Sequence, residues 1–119
     1  MPATVLIVDD DATFRSLAAH LVEAAGLTVA GEAGDVSGGR AAAEKLRPDA
    51  ALVDVRLPDG DGIALASELA LLPWSPRIVV TSAQSGRSFP AEALRNGAEA
   101  FVIKDELPLA PLSTWLAAG

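Results

Sequence analysis

Dense apolar runs recur along the chain at Val5-Leu6-Ile7-Val8, Ala50-Ala51-Leu52-Val53, Ile78-Val79-Val80 and Ala100-Phe101-Val102-Ile103. Each is too short for a buried helix and suits a strand covered on both faces. Helical spacing fills the gaps. Phe14, Leu17, Ala18, Leu21 and Val22 share one face of a helix over about residues 12–25, with Asp11 as its N-cap and Gly26 after it. A second strand is predicted over about 27–31. A second helix over about 36–47 is weakened by Gly38 and Gly39 and stopped by Pro48. Strands at 50–54, 77–81 and 99–103 alternate with helices at about 62–71 and from Pro90 to Asn96. A last helix starts somewhere between Pro108 and Pro111. Five βα units of this kind predict a doubly wound, five-stranded parallel sheet with helices on both faces.

The 119 residues suit one domain, spanning 1–119, and half of them are apolar, enough for a real core. No apolar run approaches a membrane span, and the N-terminus lacks the basic region of a signal peptide, so no membrane association and a cytoplasmic location are expected. Without cysteine there is no disulfide framework, thiol catalysis or thiolate metal site. The net charge of -7 argues against direct nucleic-acid binding by this chain.

The candidate chemistry sits where the strands stop. The first ends in Asp9-Asp10-Asp11, the third in Asp54, the fourth in Thr81-Ser82 and the fifth in Lys104. Open α/β sheets bind ligands at these carboxyl ends. Two or three carboxylates with a backbone carbonyl hold a hard cation such as Mg2+. The alternative for Asp9, Asp10 and Asp11 is helix capping, which needs one acid rather than three. Asp54 reads either as a turn former or as a buried carboxylate paired by Mg2+ and Lys104, in which role it can attack a phosphoryl group. Thr81 is otherwise an ordinary strand residue, and Lys104 an ordinary surface lysine. Lys104 is one of only two lysines, however, and it terminates an apolar strand.

In order and spacing, Val8-Asp9-Asp10-Asp11, Asp54 with Leu57-Pro58-Asp59-Gly60-Asp61-Gly62, Val80-Thr81-Ser82-Ala83 and Gly97 to Lys104 resemble the response-regulator receiver domain of two-component signalling. The resemblance covers about Thr4 to Trp115 and implies a flavodoxin-like (βα)5 fold. It implies that Asp54 takes a phosphoryl group from a phosphohistidine on a sensor histidine kinase or a histidine phosphotransfer protein. Asp10, Asp54 and the backbone carbonyl of Arg56 would bind Mg2+ directly, with Asp9 acting through water. Thr81 and Lys104 would bind phosphoryl oxygens, and Phe101 would move inward as Thr81 moves to the phosphate. The output face would include Arg95, Asn96, Glu99, Phe101 and Asp105.

Lys104-Asp105, in place of the Lys-Pro of many receivers, predicts a trans peptide and resembles receivers that precede helix-turn-helix DNA-binding output domains. Ala83 offers no hydrogen bond to an attacking water and Arg56 screens the site, so slow self-hydrolysis is expected. Exposed Leu and Trp near the last helix are compatible with a homodimer. A Mg2+-dependent aspartyl-phosphate phosphatase is the enzymatic alternative, but it needs an aspartate where Arg56 stands. A receiver-like interaction module not controlled by phosphorylation is the other alternative, although the full acidic set and the lysine are present. The glycines at 31, 34, 38 and 39 do not form a dinucleotide fingerprint after the first strand. His20 is read as a solvated or packed helix residue, and Trp74 and Trp115 as packed locally.

Overall fold

The computed structural model describes residues 2–84 and 89–117. Five parallel strands form one sheet: β1 (Thr4–Val8), β2 (Thr28–Ala33), β3 (Ala50–Asp54), β4 (Arg77–Ser82) and β5 (Ala100–Ile103), in the order β2-β1-β3-β4-β5. The helices are α1 (Ala12–Ala24), α2 (Val36–Leu46), α3 (Gly62–Ala70), α4 (Phe89–Arg95) and α5 (Leu112–Leu116). No helix of the described residues is long and apolar enough to cross a membrane.

Alternating strand residues separate two cores. Leu6, Val8, Ala51, Val53, Ile78 and Val80 pack with residues of α2, α3 and α4, including Ala43, Leu65, Leu69 and Ala93. Val5, Ile7, Leu52 and Val79 pack with Phe14, Ala18 and Val22 of α1 and Leu112 and Leu116 of α5. The sheet is thus covered on both faces, which is why β1 and β3 read as unbroken apolar runs. Within α1, Phe14, Ala18 and Val22 are buried, whereas Leu17 stays 45% exposed at the edge of the predicted stripe.

Several boundaries differ from the sequence expectation for identifiable reasons. α1 ends at Ala24, and Gly26 follows in a left-handed conformation (φ 84°). β2 starts one residue late and runs on to Ala33, because one extra residue is accommodated beside β1: Val5 pairs with Val29, but Leu6 pairs with Gly31. Ala30 is the surplus residue, a bulge in an edge strand. α2 stops at Leu46, with Arg47 taking the left-handed cap position. Of the two glycines that weaken α2 as an isolated helix, Gly39 lets it sit close to the sheet. A Cβ at Gly39 would lie 3.1 Å from both Val8 Cγ1 and Leu65 Cδ2.

α4 begins one residue before Pro90 and β5 one residue after Glu99. The last helix begins at Leu112, one residue past its predicted window with Pro111 as its N-cap, and is preceded by an unexpected 3-10 helix, Lys104–Leu109, which buries Leu107. Proline at 108 fits this tighter turn and would have interrupted a longer α-helix. The peptide after Lys104 is trans, as expected.

Candidate functional site

β1 and β3 are neighbours in the sheet, but their following helices leave to opposite faces. The crevice where the winding reverses is where such sheets place their ligands. Asp9 follows β1, Asp54 ends β3, Thr81 lies beside Asp54 in register on β4, and Lys104 follows β5. Parallel pairing therefore brings together four residues that are scattered over 96 positions of sequence (104 less 9, both ends counted).

Asp9 is buried (1% exposed) and its main chain is fixed on two sides. Its N–H donates to Ala33 O at 2.9 Å, and its carbonyl accepts from Arg15 Nη1. Arg15 Nε in turn binds Glu32 Oε1 at 3.0 Å. Asp9 Oδ1 accepts from the Asp11 N–H at 2.9 Å. Oδ2 forms an ion pair with Lys104 Nζ at 2.7 Å but accepts no well-aligned hydrogen bond. Asp11 caps α1 by accepting from the N–H groups of Thr13 and Phe14, as its position predicts.

Asp54 is also buried, and Lys104 Nζ lies 3.5 Å from its Oδ2. Burial pushes the Asp54 carboxyl above the usual carboxylate range, and the charge of Asp9 pushes the same way. Lys104 and the Arg56 N–H only partly offset them. For Lys104, burial favours the neutral amine, but Asp9 and Asp54 outweigh it and the net direction is up, so the ammonium is retained. Its charge also lies 4.5 Å from the centre of the Phe14 ring, a cation–π contact.

Asp10 is exposed, yet Asp9, Asp10 and Asp54 each offer a carboxylate oxygen within 4.8 Å of the others. One buried oxygen without an aligned donor, two further carboxylates and an all-oxygen donor set fit a hard divalent cation. The arrangement has one ammonium for three acids, and a divalent ion would supply the missing positive charge.

Beyond Asp54 a cavity of about 220 Å³ is lined by Asp54, Arg56, Ser82, Ala83, Gln84 and Phe89. Thr81 is buried (1% exposed), and its carbonyl accepts from the Val55 N–H at 2.9 Å, which fixes the start of the loop after Asp54. That loop folds into a two-residue ribbon, Arg56–Leu57 against Gly60–Asp61. Asp61 caps α3 through the Ile63 N–H. Gly62 is packed so tightly that a Cβ there would lie 1.6 Å from Asp54 O. Phe101 is half-buried against the α2–α4 side of the core.

Four residues packed on or near the site have partners with no clear signal in sequence. Phe14 reads only as a core residue. Arg15 and Glu32 meet because β2 is bulged. Asp59 reads as a turn residue, but its carboxylate accepts from the Val36 N–H at 2.7 Å and the Ser37 N–H at 3.1 Å. Those two bonds hold its pKa below the usual carboxylate range. The residues predicted to be uninvolved stay apart from the site. His20 is exposed with Nδ1 2.8 Å from Ser16 O, and Trp74 donates to Pro48 O under Arg47. Trp115 packs on the α1–α5 core.

A doubly wound sheet with three acids, a hydroxyl and an ammonium at its switch point defines an α/β module whose polar groups suit a divalent cation and an anion. The chain belongs to the response regulator receiver domain family, whose model matches residues 5–110. It is 36% identical over 111 residues to the "Chemotaxis protein CheY" of Thermotoga maritima, covering 91% of this chain and 90% of that protein. It is 35% identical over 108 residues to the "Nitrate/nitrite response regulator protein NarL" of Escherichia coli K12, covering 90% of this chain but only 50% of NarL. Thus the chain spans about half the length of some curated relatives and nearly all of another. Among solved structures, the signal receiver domain of the putative response regulator NarL from Mycobacterium tuberculosis superimposes with a TM-score of 0.84 at 27% identity, covering 95% of this chain and 92% of that one.

Proposed function

We propose that Asp54 is the phosphoacceptor of this receiver and that it takes its phosphoryl group from a phosphohistidine on a sensor histidine kinase or a histidine phosphotransfer protein. The observation that carries the reading is the convergence on Asp54: a buried carboxylate beside Thr81, 3.5 Å from the Lys104 ammonium, and within 4.8 Å of oxygens from Asp9 and Asp10. The attacking Asp54 oxygen forms the P–O bond as the P–N bond of the donor breaks, and that electron pair returns to the imidazole.

Asp10, Asp54 and the Arg56 carbonyl would hold Mg2+, with Asp9 engaged through water. Bound there, the ion supplies positive charge for the phosphoryl oxygens. Lys104 would neutralise a further phosphoryl oxygen, and the Thr81 hydroxyl would donate to another. The buried, partly desolvated setting of Asp54 strengthens each of these interactions relative to water. Phe101, on the strand beside Thr81, is the aromatic that follows the hydroxyl inward. Output passes through the face of α4, β5 and the segment after it, which carries Arg95, Asn96, Glu99 and Asp105. In a longer protein of the kind the Lys104-Asp105 pair resembles, that face would address a linked helix-turn-helix DNA-binding domain or a second receiver.

The experiment is intact mass after incubation with Mg2+ and acetyl phosphate, beside an Asp54→Asn variant. A gain of one phosphoryl group in the parent alone supports the reading. No gain with small donors or with a partner kinase, in a folded protein, would replace it with an interaction module not controlled by phosphorylation.

A further inference from the structure

The first turn of α2 is served by two acids from different parts of the chain. Asp35, its own N-cap, accepts from the Gly38 N–H at 2.6 Å. Asp59, from the loop after β3, accepts from Val36 and Ser37. A helix start is normally satisfied by its own cap and by water, and this one is at the surface. The second acid therefore does little that α2 requires. What it does is tie two loops together. The segment before α2 contains Ala33, whose carbonyl holds the Asp9 N–H. The segment around Asp59 is the ribbon that carries Arg56, paired with Asp61. In the sheet, β1 lies between β2 and β3. The Asp59 carboxylate thus links the loop after β3 to the segment after β2, past the end of β1 where Asp9 and Asp10 stand.

We propose that Asp59 is a positioning residue for the cation site: by fastening the Arg56 ribbon to the start of α2, it sets the separation between the Asp54–Arg56 side of the site and the Asp9–Asp10 side. The inference rests on the proposed Mg2+ site. Outer partners that orient ligand-bearing groups typically change metal affinity by about 10–100-fold. The Arg40–Glu68 pair, at 2.8 and 2.9 Å, independently ties α2 to α3, so loss of Asp59 leaves the two helices joined.

The test is an amide chemical-shift titration of the full chain with Mg2+, together with thermal melts in metal-free buffer. Asp59→Ala is expected to weaken Mg2+ binding about tenfold. Asp59→Asn keeps one carbonyl acceptor and is expected to lose less. Glu68→Gln removes a carboxylate of equal charge and weakens the other inter-helix tie, and is expected to bind Mg2+ as the parent does. Unchanged affinity in Asp59→Ala, whatever its melting temperature, would reduce Asp59 to a helix cap and overturn the proposal. An equal loss in Glu68→Gln would also overturn it, by assigning the effect to net charge. No saturable Mg2+ binding in the parent would remove the metal reading itself, and this proposal with it.

Discussion

The Lys104 ammonium is held by Asp9, 2.7 Å away, more closely than by Asp54 at 3.5 Å. The lysine of the site is thus parked on the acid that follows β1 and leaves Asp54 the less closely paired of the two. Removing the ammonium would strand two buried carboxylates, which is more damaging than losing the pair as a whole. Lys104→Met is expected to destabilise the metal-free protein by about 2 kcal/mol, a discounted figure because the ammonium is partly exposed. Saturating Mg2+ should recover part of that loss, because without the competing ammonium the acids bind the cation more tightly and the variant gains more stability from it than the parent does. Urea unfolding with and without Mg2+ measures both.

Asp54 predicts a pH signature. Its folded-state pKa is raised by burial and by Asp9, so between the ordinary carboxylate value and the raised one the native state binds more protons than the unfolded state. Stability from this group is present at low pH and falls as pH rises through that window. Asp54→Asn removes the penalty. The variant is expected to melt a few degrees above the parent at pH 7, the shift produced by about 1 kcal/mol in a domain of this size. The difference should shrink as pH falls toward the ordinary carboxylate range. Melting curves of both proteins from pH 4 to about pH 8 test the sign.

Gly62 is the steric counterpart of Asp54. Even one methyl group there must displace the Asp54 carbonyl or the start of α3. Gly62→Ala is expected to cost about 3 kcal/mol or more, at or beyond the upper end of typical overpacking penalties, and to slow phosphoryl uptake from acetyl phosphate. Gly60→Ala is the control: its Cβ would meet only the Val36 side chain, at 3.3 Å. Denaturant midpoints and labelling rates for the two variants separate a general loop effect from the contact with Asp54.

Arg56 and Ala83 line the cavity beside Asp54. Arg56 is exposed, and Ala83 has no group to orient a water. The phosphorylated domain should therefore lose its phosphoryl group slowly. Arg56→Ala is expected to shorten the half-life several-fold by admitting water, a change of about 1 kcal/mol in barrier. A phosphate-release assay reads the lifetimes. Rapid loss in the parent, unchanged in Arg56→Ala, would contradict the role of the arginine.

The inner strands and the four polar strand ends were legible because a parallel sheet buried on both faces writes itself as uninterrupted apolar runs, and each run stops at a polar residue. β3 is predicted and observed over the same residues, Ala50–Asp54. The partnerships inside the site were less legible. Nothing local tells Lys104 to prefer Asp9, or tells Asp59 to reach α2 across 23 positions. Those contacts depend on how far apart the folded loops lie, which neither period nor propensity encodes. The C-terminal part misled for a related reason. Pro108 and Pro111 bar a single long helix, but either can start a shorter one. Burial of Leu107 and Leu112 selects the 3-10 helix followed by α5.

The bulge at Ala30 acts like a shift of reading frame. Strand side chains alternate, so a one-residue offset exchanges the faces of everything downstream. With the extra residue, Gly31 lies beside Leu6 and Glu32 beside Ile7, on the α1 face where Arg15 waits. In strict register Glu32 would point to α2, and Arg15 would lose the anion that steadies it against the Asp9 carbonyl. A single surplus alanine in an edge strand, remote from any chemistry, thereby decides which way the scaffold behind the first acid is spelled.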